Sequence, residues 1–174
     1  MSKTGLFLLS AMLLLAACSS SGTITMQEAR TGSIEPGSTV SVSVEPALPP
    51  EATADQHAEA DEFAQRLKSE LFGRLVSEGV FRHAVHPGEP ANYRMEVTIT
   101  AAEEVSQGAR IFFGVLAGSN EVMASVAVFE EPSGRVFARY AVTGESASHP
   151  WSSENDMDDA VREAATQIID GLTS

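Results

Sequence analysis

The feature that most constrains the fold of this chain is a two-residue alternation of apolar side chains that returns in separate stretches. Thr39–Glu45 reads TVSVSVE, with Val40, Val42 and Val44 to one side and Ser41 and Ser43 to the other. Tyr93–Ala101 sets Tyr93, Met95, Val97 and Ile99 against Arg94, Glu96, Thr98 and Thr100. Arg135–Thr143 places Val136, Ala138, Tyr140 and Val142 on one face. Successive side chains of a strand point to opposite faces, so each stretch predicts a strand with one buried face. Glu121–Glu130, EVMASVAVFE, is apolar on both sides, with Val122, Val126 and Val128 against Met123, Ala127 and Phe129. That pattern fits a central strand or one with both faces covered. Pro132-Ser133-Gly134 supplies the turn that makes Arg135–Thr143 its hairpin partner.

A sheet with an apolar face needs a layer to cover it. Two stretches have the helical period. In Asp55–Glu78, Ala60, Phe63, Ala64, Leu67, Leu71 and Leu75 recur at spacings of three and four. Acids crowd its first turns and Arg66, Lys68 and Arg74 follow, in accord with the helix dipole. Pro46, Pro49 and Pro50 end the strand before it, and Gly79 is its stop. Asn155–Leu172 carries Met157, Val161, Ala164, Ile168 and Leu172, with Ser153 and Asp156 offering an N-cap. The order strand, helix, three or more strands, helix predicts an α+β fold. The expected form is a single mostly antiparallel sheet packed on one face by two amphipathic helices. There is no internal repeat, and residues 39–174 read as one domain.

The amino terminus reads differently. Lys3 precedes Leu6–Ala17, twelve uncharged and mostly apolar residues. As a helix they would span about 18 Å, short of the roughly 30 Å of a bilayer core. A basic start, a short apolar run and small residues before a break mark a secretory signal, here residues 1–17. The run ends in Leu15-Ala16-Ala17-Cys18, which resembles a bacterial lipobox. The resemblance implies a diacylglycerol on the sulfur of Cys18 and a further acyl chain on its freed amine. Several acyl chains at about 0.8 kcal/mol per buried methylene make a durable anchor. An ordinary signal peptide with an incidental cysteine is the alternative. By the same resemblance, Ser19 in place of an aspartate implies delivery to an outer membrane. Cys18 is the only cysteine, so the 157 residues left after cleavage hold none free for a disulfide. Ser19–Ser38 is small, polar and broken by Gly and Pro. Residues 18–38 are therefore expected to be a flexible tether of about 25 Å r.m.s. span, although Thr23–Met26, TITM, could make a short edge strand.

Net charge is −13, and −14 once Lys3 leaves with the signal. Nucleic-acid binding needs clustered Lys and Arg, so that class is excluded. No cofactor fingerprint or phosphate loop occurs. His83 and His86 lack a third ligand nearby and read as a solvated loop rather than a zinc pair. Glu154, Asn155, Asp156, Asp158 and Asp159 lack the spacing of a calcium loop and suit a helix N-terminus. His149 can be combined with many serines on paper, but no G-x-S-x-G elbow is present. No metal site and no enzyme are expected. Arg110-Ile111-Phe112-Phe113-Gly114-Val115-Leu116 reads either as a core strand or as a bent segment offering Phe112, Phe113 and Leu116 beside Arg110 to a partner. Trp151, in His149-Pro150-Trp151, is a second such candidate.

The lipobox, the Val-rich strand, the helix ending near Gly79-Val80-Phe81, Gly108-Ala109-Arg110, Gly114, Ala117-Gly118, the hairpin at Ser133-Gly134 and the Ala-rich closing helix together resemble one family. It is the bacterial lipoproteins of domain of unknown function 4410, and the likeness runs from Thr39 to Leu172. More distantly the chain is similar to small envelope lipoproteins with an α/β domain of the TolB amino-terminal kind. These resemblances imply scaffolding at an outer membrane and supply no catalytic residues. The expected function is a non-enzymatic adaptor, lipid-anchored at the periplasmic face of the outer membrane, that binds another envelope protein. The alternative is an accessory carrier holding a lipid or glycan fragment between sheet and helices.

Overall fold

The computed structural model describes residues 21–47, 50, 53–103, 121–146 and 156–174. They form six strands and two helices: β1 (Ser21–Glu28), β2 (Thr39–Pro46), α1 (Ala54–Ser77), β3 (His83–Val85), β4 (Tyr93–Glu103), β5 (Glu121–Glu130), β6 (Arg135–Glu145) and α2 (Asp156–Thr173). The strands make one sheet in the order β1-β6-β5-β4-β2-β3. The fold is α+β, and both helices lie within a residue of the spans their period predicts.

Two expectations are corrected. The sheet is mixed, not mostly antiparallel: β2 runs parallel to both β3 and β4, while β4–β5, β5–β6 and β6–β1 are antiparallel. The reason lies in α1, which carries the chain back along the sheet so that the next strand starts at the same end as β2. The turn from His86 returns it once more to that end, where Asn92 N–H donates to Thr39 O at 2.9 Å and Asn92 Oδ1 accepts from Thr39 N–H at 2.9 Å. The second correction is that the sheet begins at Ser21, not Thr39. β1 lies inside the stretch expected to be a tether; the short edge strand left open at Thr23–Met26 is present, runs over Ser21–Glu28 and pairs with β6 from Ser21↔Glu145 to Glu28↔Arg139. The pairing satisfies the backbone of a segment with few apolar side chains, and Thr31 N–H extends it to Phe137 O at 2.9 Å.

One face of the sheet is the core. Cross-strand rows run Val42–Met95–Val128–Ala138, Val44–Val97–Val126–Tyr140–Met26 and Ile99–Ala124–Val142–Ile24. Against them α1 buries Phe63, Leu67, Leu71 and Leu75, and α2 buries Val161, Ala164, Ile168 and Leu172. A bulge at Val128/Phe129 gives β6 an extra residue, so Phe137 is buried with Ala138 while Val136 is only half-buried. Phe137 stacks edge-on against Tyr93, 5.4 Å between centroids, and Tyr93 meets Phe81 in the same way at 5.6 Å. At Gly144 the sheet comes so close to α2 that a Cβ would stand 2.3 Å from Ala164 N. Gly79, at φ +73°, ends α1 in the left-handed conformation.

The helices touch each other on that same face. The Arg74 guanidinium donates to Arg162 O at 3.1 Å and to Thr166 Oγ1 at 2.8 Å. α2 has no basic residue in its last turn. Arg30, arriving from the loop after β1, donates instead to Leu172 O and supplies positive charge at that terminus.

Candidate functional site

The sheet has two distinguishable ends. Ser21, Glu121 and Glu145 lie together at one, paired Ser21↔Glu145 and Glu121↔Glu145, and Glu103 pairs with Glu121. Ser21 Oγ donates to Glu145 Oε2 at 3.3 Å. Cys18, Arg110, Phe112, Phe113, Leu116 and Trp151 lie outside the described residues, as do His149, Glu154 and Asn155. Their chain attachments are described. The segment holding Arg110, Phe112, Phe113 and Leu116 leaves from Glu103 and returns at Glu121. The segment holding Trp151 leaves β6 after Glu145, and Cys18 is three positions before Ser21. All three attachments are at this end of the sheet.

The other sequence candidates are placed directly. His83 is on β3 and exposed, and His86 sits in a turn with its ring 4.9 Å from that of Phe72. Among the described residues no group of His, Cys, Asp and Glu is arranged to hold a metal. Asp158 and Asp159 serve α2: Asp158 pairs with Arg66 and Asp159 with Arg162. Hydrogen bonding to Glu62 and Asp158 outweighs desolvation and raises the Arg66 pKa, the Glu62 bond being the largest cause. These groups rim an open groove of about 580 Å³ between the helices, lined by Gln65, Arg66, Ser69, Asp158, Val161 and Arg162. Arg66, Asp158 and Arg162 there are held in ion pairs, and Glu70 also lines the groove.

The face of the sheet opposite the helices carries rows of another kind: Ser41–Arg94–Phe129, Ser43–Glu96–Ala127–Arg139–Glu28 and Glu45–Thr98–Ser125–Ala141–Thr25. Arg139 pairs with Glu28 at 2.6 Å. Arg94 pairs with Glu96, donates from Nε to Glu131 Oε1 at 2.9 Å, and lies over the Phe129 ring at 4.3 Å. At the far end from Ser21, a recess of about 430 Å³ opens beside Arg94, lined by Ser41, Glu89, Pro90, Ala91, Glu131 and Pro132 together with Gly88. No local pattern announces it, because Ser41 and Arg94 meet only through the parallel register of β2 and β4. Tyr140 is the one strongly perturbed titratable group described. It is fully buried, its phenol donates to Ile168 O at 2.6 Å, and burial pushes its pKa up. It has no outlet to solvent and acts as a core strut between β6 and α2.

Among the described residues no helix is long and apolar enough to cross a membrane. The family model described as Domain of unknown function (DUF4410) matches residues 23–150. No curated protein matches the chain. Among solved structures, the PelC dodecamer from Paraburkholderia phytofirmans is 15% identical, with 84% of this chain and 96% of that chain covered and a TM-score of 0.54. A point variant of that dodecamer gives 14% identity, 88% and 98% coverage and a TM-score of 0.53. A candidate lipoprotein from Caulobacter crescentus is 16% identical over 75% of this chain and 88% of that one, with a TM-score of 0.37, too low to bear on the fold. The first two share the fold with this chain.

Proposed function

Since this chain belongs to the family described as Domain of unknown function (DUF4410), a description that names no activity, we propose its function from the position of its first strand. It is a non-enzymatic lipoprotein, acylated at Cys18 and held at the periplasmic face of the outer membrane, that binds envelope proteins as an assembly adaptor. The observation that carries this reading is that β1 starts at Ser21 and is locked to β6 along its length. Only Ser19 and Ser20 separate the lipobox cysteine from the sheet, a reach of at most about 10 Å. An anchor at Cys18 therefore mounts the domain directly on the bilayer instead of trailing it on a long tether. A short mount fixes one end of the sheet toward the lipid and raises the concentration of the rest at the membrane surface.

The dodecameric state of the two structures that share the fold supports a role in assembly, with further copies of this chain as one class of partner. Contacts through Arg110, Phe112, Phe113, Leu116 and Trp151 belong to the same proposal, since the strands that lead to them end beside Ser21. The interface between sheet and helices, where a carried lipid or glycan fragment would have to lie, is occupied by the contiguous core of α1, α2 and the strands.

The test is fractionation and mass spectrometry of wild type and Cys18→Ser. Wild type sediments with outer membranes and its N-terminal peptide carries the mass of the acyl chains. The variant stays in the soluble fraction. An unmodified Cys18 in soluble wild-type protein would sink the proposal.

A further inference from the structure

We propose that the recess at the end of the sheet away from Ser21 docks a basic side chain, lysine or arginine, presented by a partner protein. The inference rests on the protein-binding reading above and names the chemistry of one contact.

Three observations converge there. The first is Ser41. It is 6% exposed, it lines the recess, and its hydroxyl has no hydrogen-bond partner among the described residues. A buried hydroxyl left unpaired costs about 1–3 kcal/mol, and buried polar groups are nearly always satisfied. A donor entering the recess would satisfy it.

The second is charge. Among the lining residues Glu89 and Glu131 accompany one cation, Arg94, which also pairs with Glu96 outside the lining. Arg94 is already bonded to Glu131 and Glu96 and stacked on Phe129, so it is not free to receive an anion. Two lining carboxylates against one guanidinium leave a net negative recess on a chain of net charge −13, which attracts cations and repels acidic groups. Glu89 Oε1 accepts from His86 N–H at 3.0 Å, which holds that carboxylate at the rim.

The third is shape. About 430 Å³ is within the roughly 300–1,000 Å³ of ligand pockets. Its walls include Pro90 and Pro132. Proline rings together with carboxylates and a hydroxyl in one lining match a side chain with an aliphatic stem and a charged head.

The experiment is an amide NMR titration of the full acylated chain in detergent micelles. The probes are a blocked pentapeptide containing one lysine and one arginine, the same peptide with both replaced by glutamate, and maltotriose. The basic peptide is expected to give saturable shifts at Ser41, Ala91 and Arg94, with a dissociation constant of about 1 mM. Glu89→Gln combined with Glu131→Gln weakens it about tenfold, the scale of a lost charge-assisted hydrogen bond. Ser41→Ala weakens it several-fold while leaving the unfolding midpoint of the free protein unchanged or higher, which a purely structural serine would not do. Absence of saturable shifts, insensitivity to the glutamine pair, or equal shifts from the acidic peptide or maltotriose each overturn the proposal. Failure here with Cys18 still acylated removes the recess alone. Saturable shifts on a protein found unacylated in cells remove the anchor alone.

Discussion

Gly144→Ala adds a single methyl group, and the structure says where it goes. A Cβ at position 144 would stand 2.3 Å from Ala164 N, 2.4 Å from Ala160 O and 2.8 Å from Ala164 Cα. All three belong to the backbone of α2, so no side chain can swing away. Comfortable contacts begin near 3.5 Å, and the helix must retreat by roughly 1 Å. A gap of that size forfeits a quarter to a half of each dispersion contact it opens. Ala160, Ala164, Ala165 and Ile168 are all buried along this helix. Overpacking costs about 1–3 kcal/mol, and a clash with backbone on both sides belongs at the upper end, about 3 kcal/mol. For a domain of this size that lowers the melting temperature by roughly 6–12 °C. The control is Gly73→Ala, the same change on α1 at an exposed site with no atom within 4 Å. It removes a helix-interior glycine and is expected to stabilise by about 0.5–1 kcal/mol. Urea unfolding of the two variants beside wild type, at matched m-value, reads both signs. A Gly144→Ala midpoint equal to wild type would refute the close packing of α2 on β6.

Two further substitutions probe the same interface. Tyr140→Phe removes the phenol that donates to Ile168 O and should cost about 1 kcal/mol in urea unfolding near neutral pH. Burial raises the Tyr140 pKa in the folded state, so the folded chain keeps a proton that the unfolded chain releases near pH 10. Its stabilising effect is complete below about pH 10 and is lost as pH rises above it, by up to about 1.4 kcal/mol per pH unit. The gap between wild type and variant should therefore shrink above that pH, and a constant gap would contradict the burial. Arg30→Gln removes the cation at the carboxyl end of α2 and should cost about 0.5–1 kcal/mol, with faster amide exchange in the last turn of α2 and no change in α1. Unchanged exchange near Leu172 would show that the contact does not hold the helix end.

Side-chain periodicity carried much of this architecture and none of its directions. Leu67, Leu71 and Leu75, or Val97 and Ile99, declare their faces because burial imposes periods of 3.6 and 2 on the sequence. Nothing in the alternation of Val40, Val42 and Val44 says which way the neighbouring strand runs, and the parallel register of β2 with β4 had to be seen. β1 was faint for a different reason. Its burial is partial, Met26 is 46% exposed, and an edge strand held largely by backbone hydrogen bonds leaves little apolar pattern. The bulge that turns Phe137 inward shifts the phase of β6 by one residue, which a strict period-2 reading assigns to Val136 instead. The recess was illegible altogether, since Ser41 and Glu131 are ninety positions apart in the chain and become neighbours only through two strand pairings.

Those strand directions also decide how an anchored molecule would work. Antiparallel pairing of β1 with β6 brings Ser21 to the Glu145 end, and parallel pairing of β2 with β4 brings Ser41 to the end where β5 turns into β6. The ten residues of β5 lie between, about 33 Å at roughly 3.3 Å per residue. An anionic membrane surface competes for basic segments only within a few Debye lengths, each about 8 Å at physiological ionic strength. With two serines as its mount, the proposed lipoprotein would hold its acidic recess beyond most of that field. A basic side chain approaching from the aqueous side would then meet the protein's own carboxylates before it felt the lipid, which a domain hung on a long loose tether could not ensure.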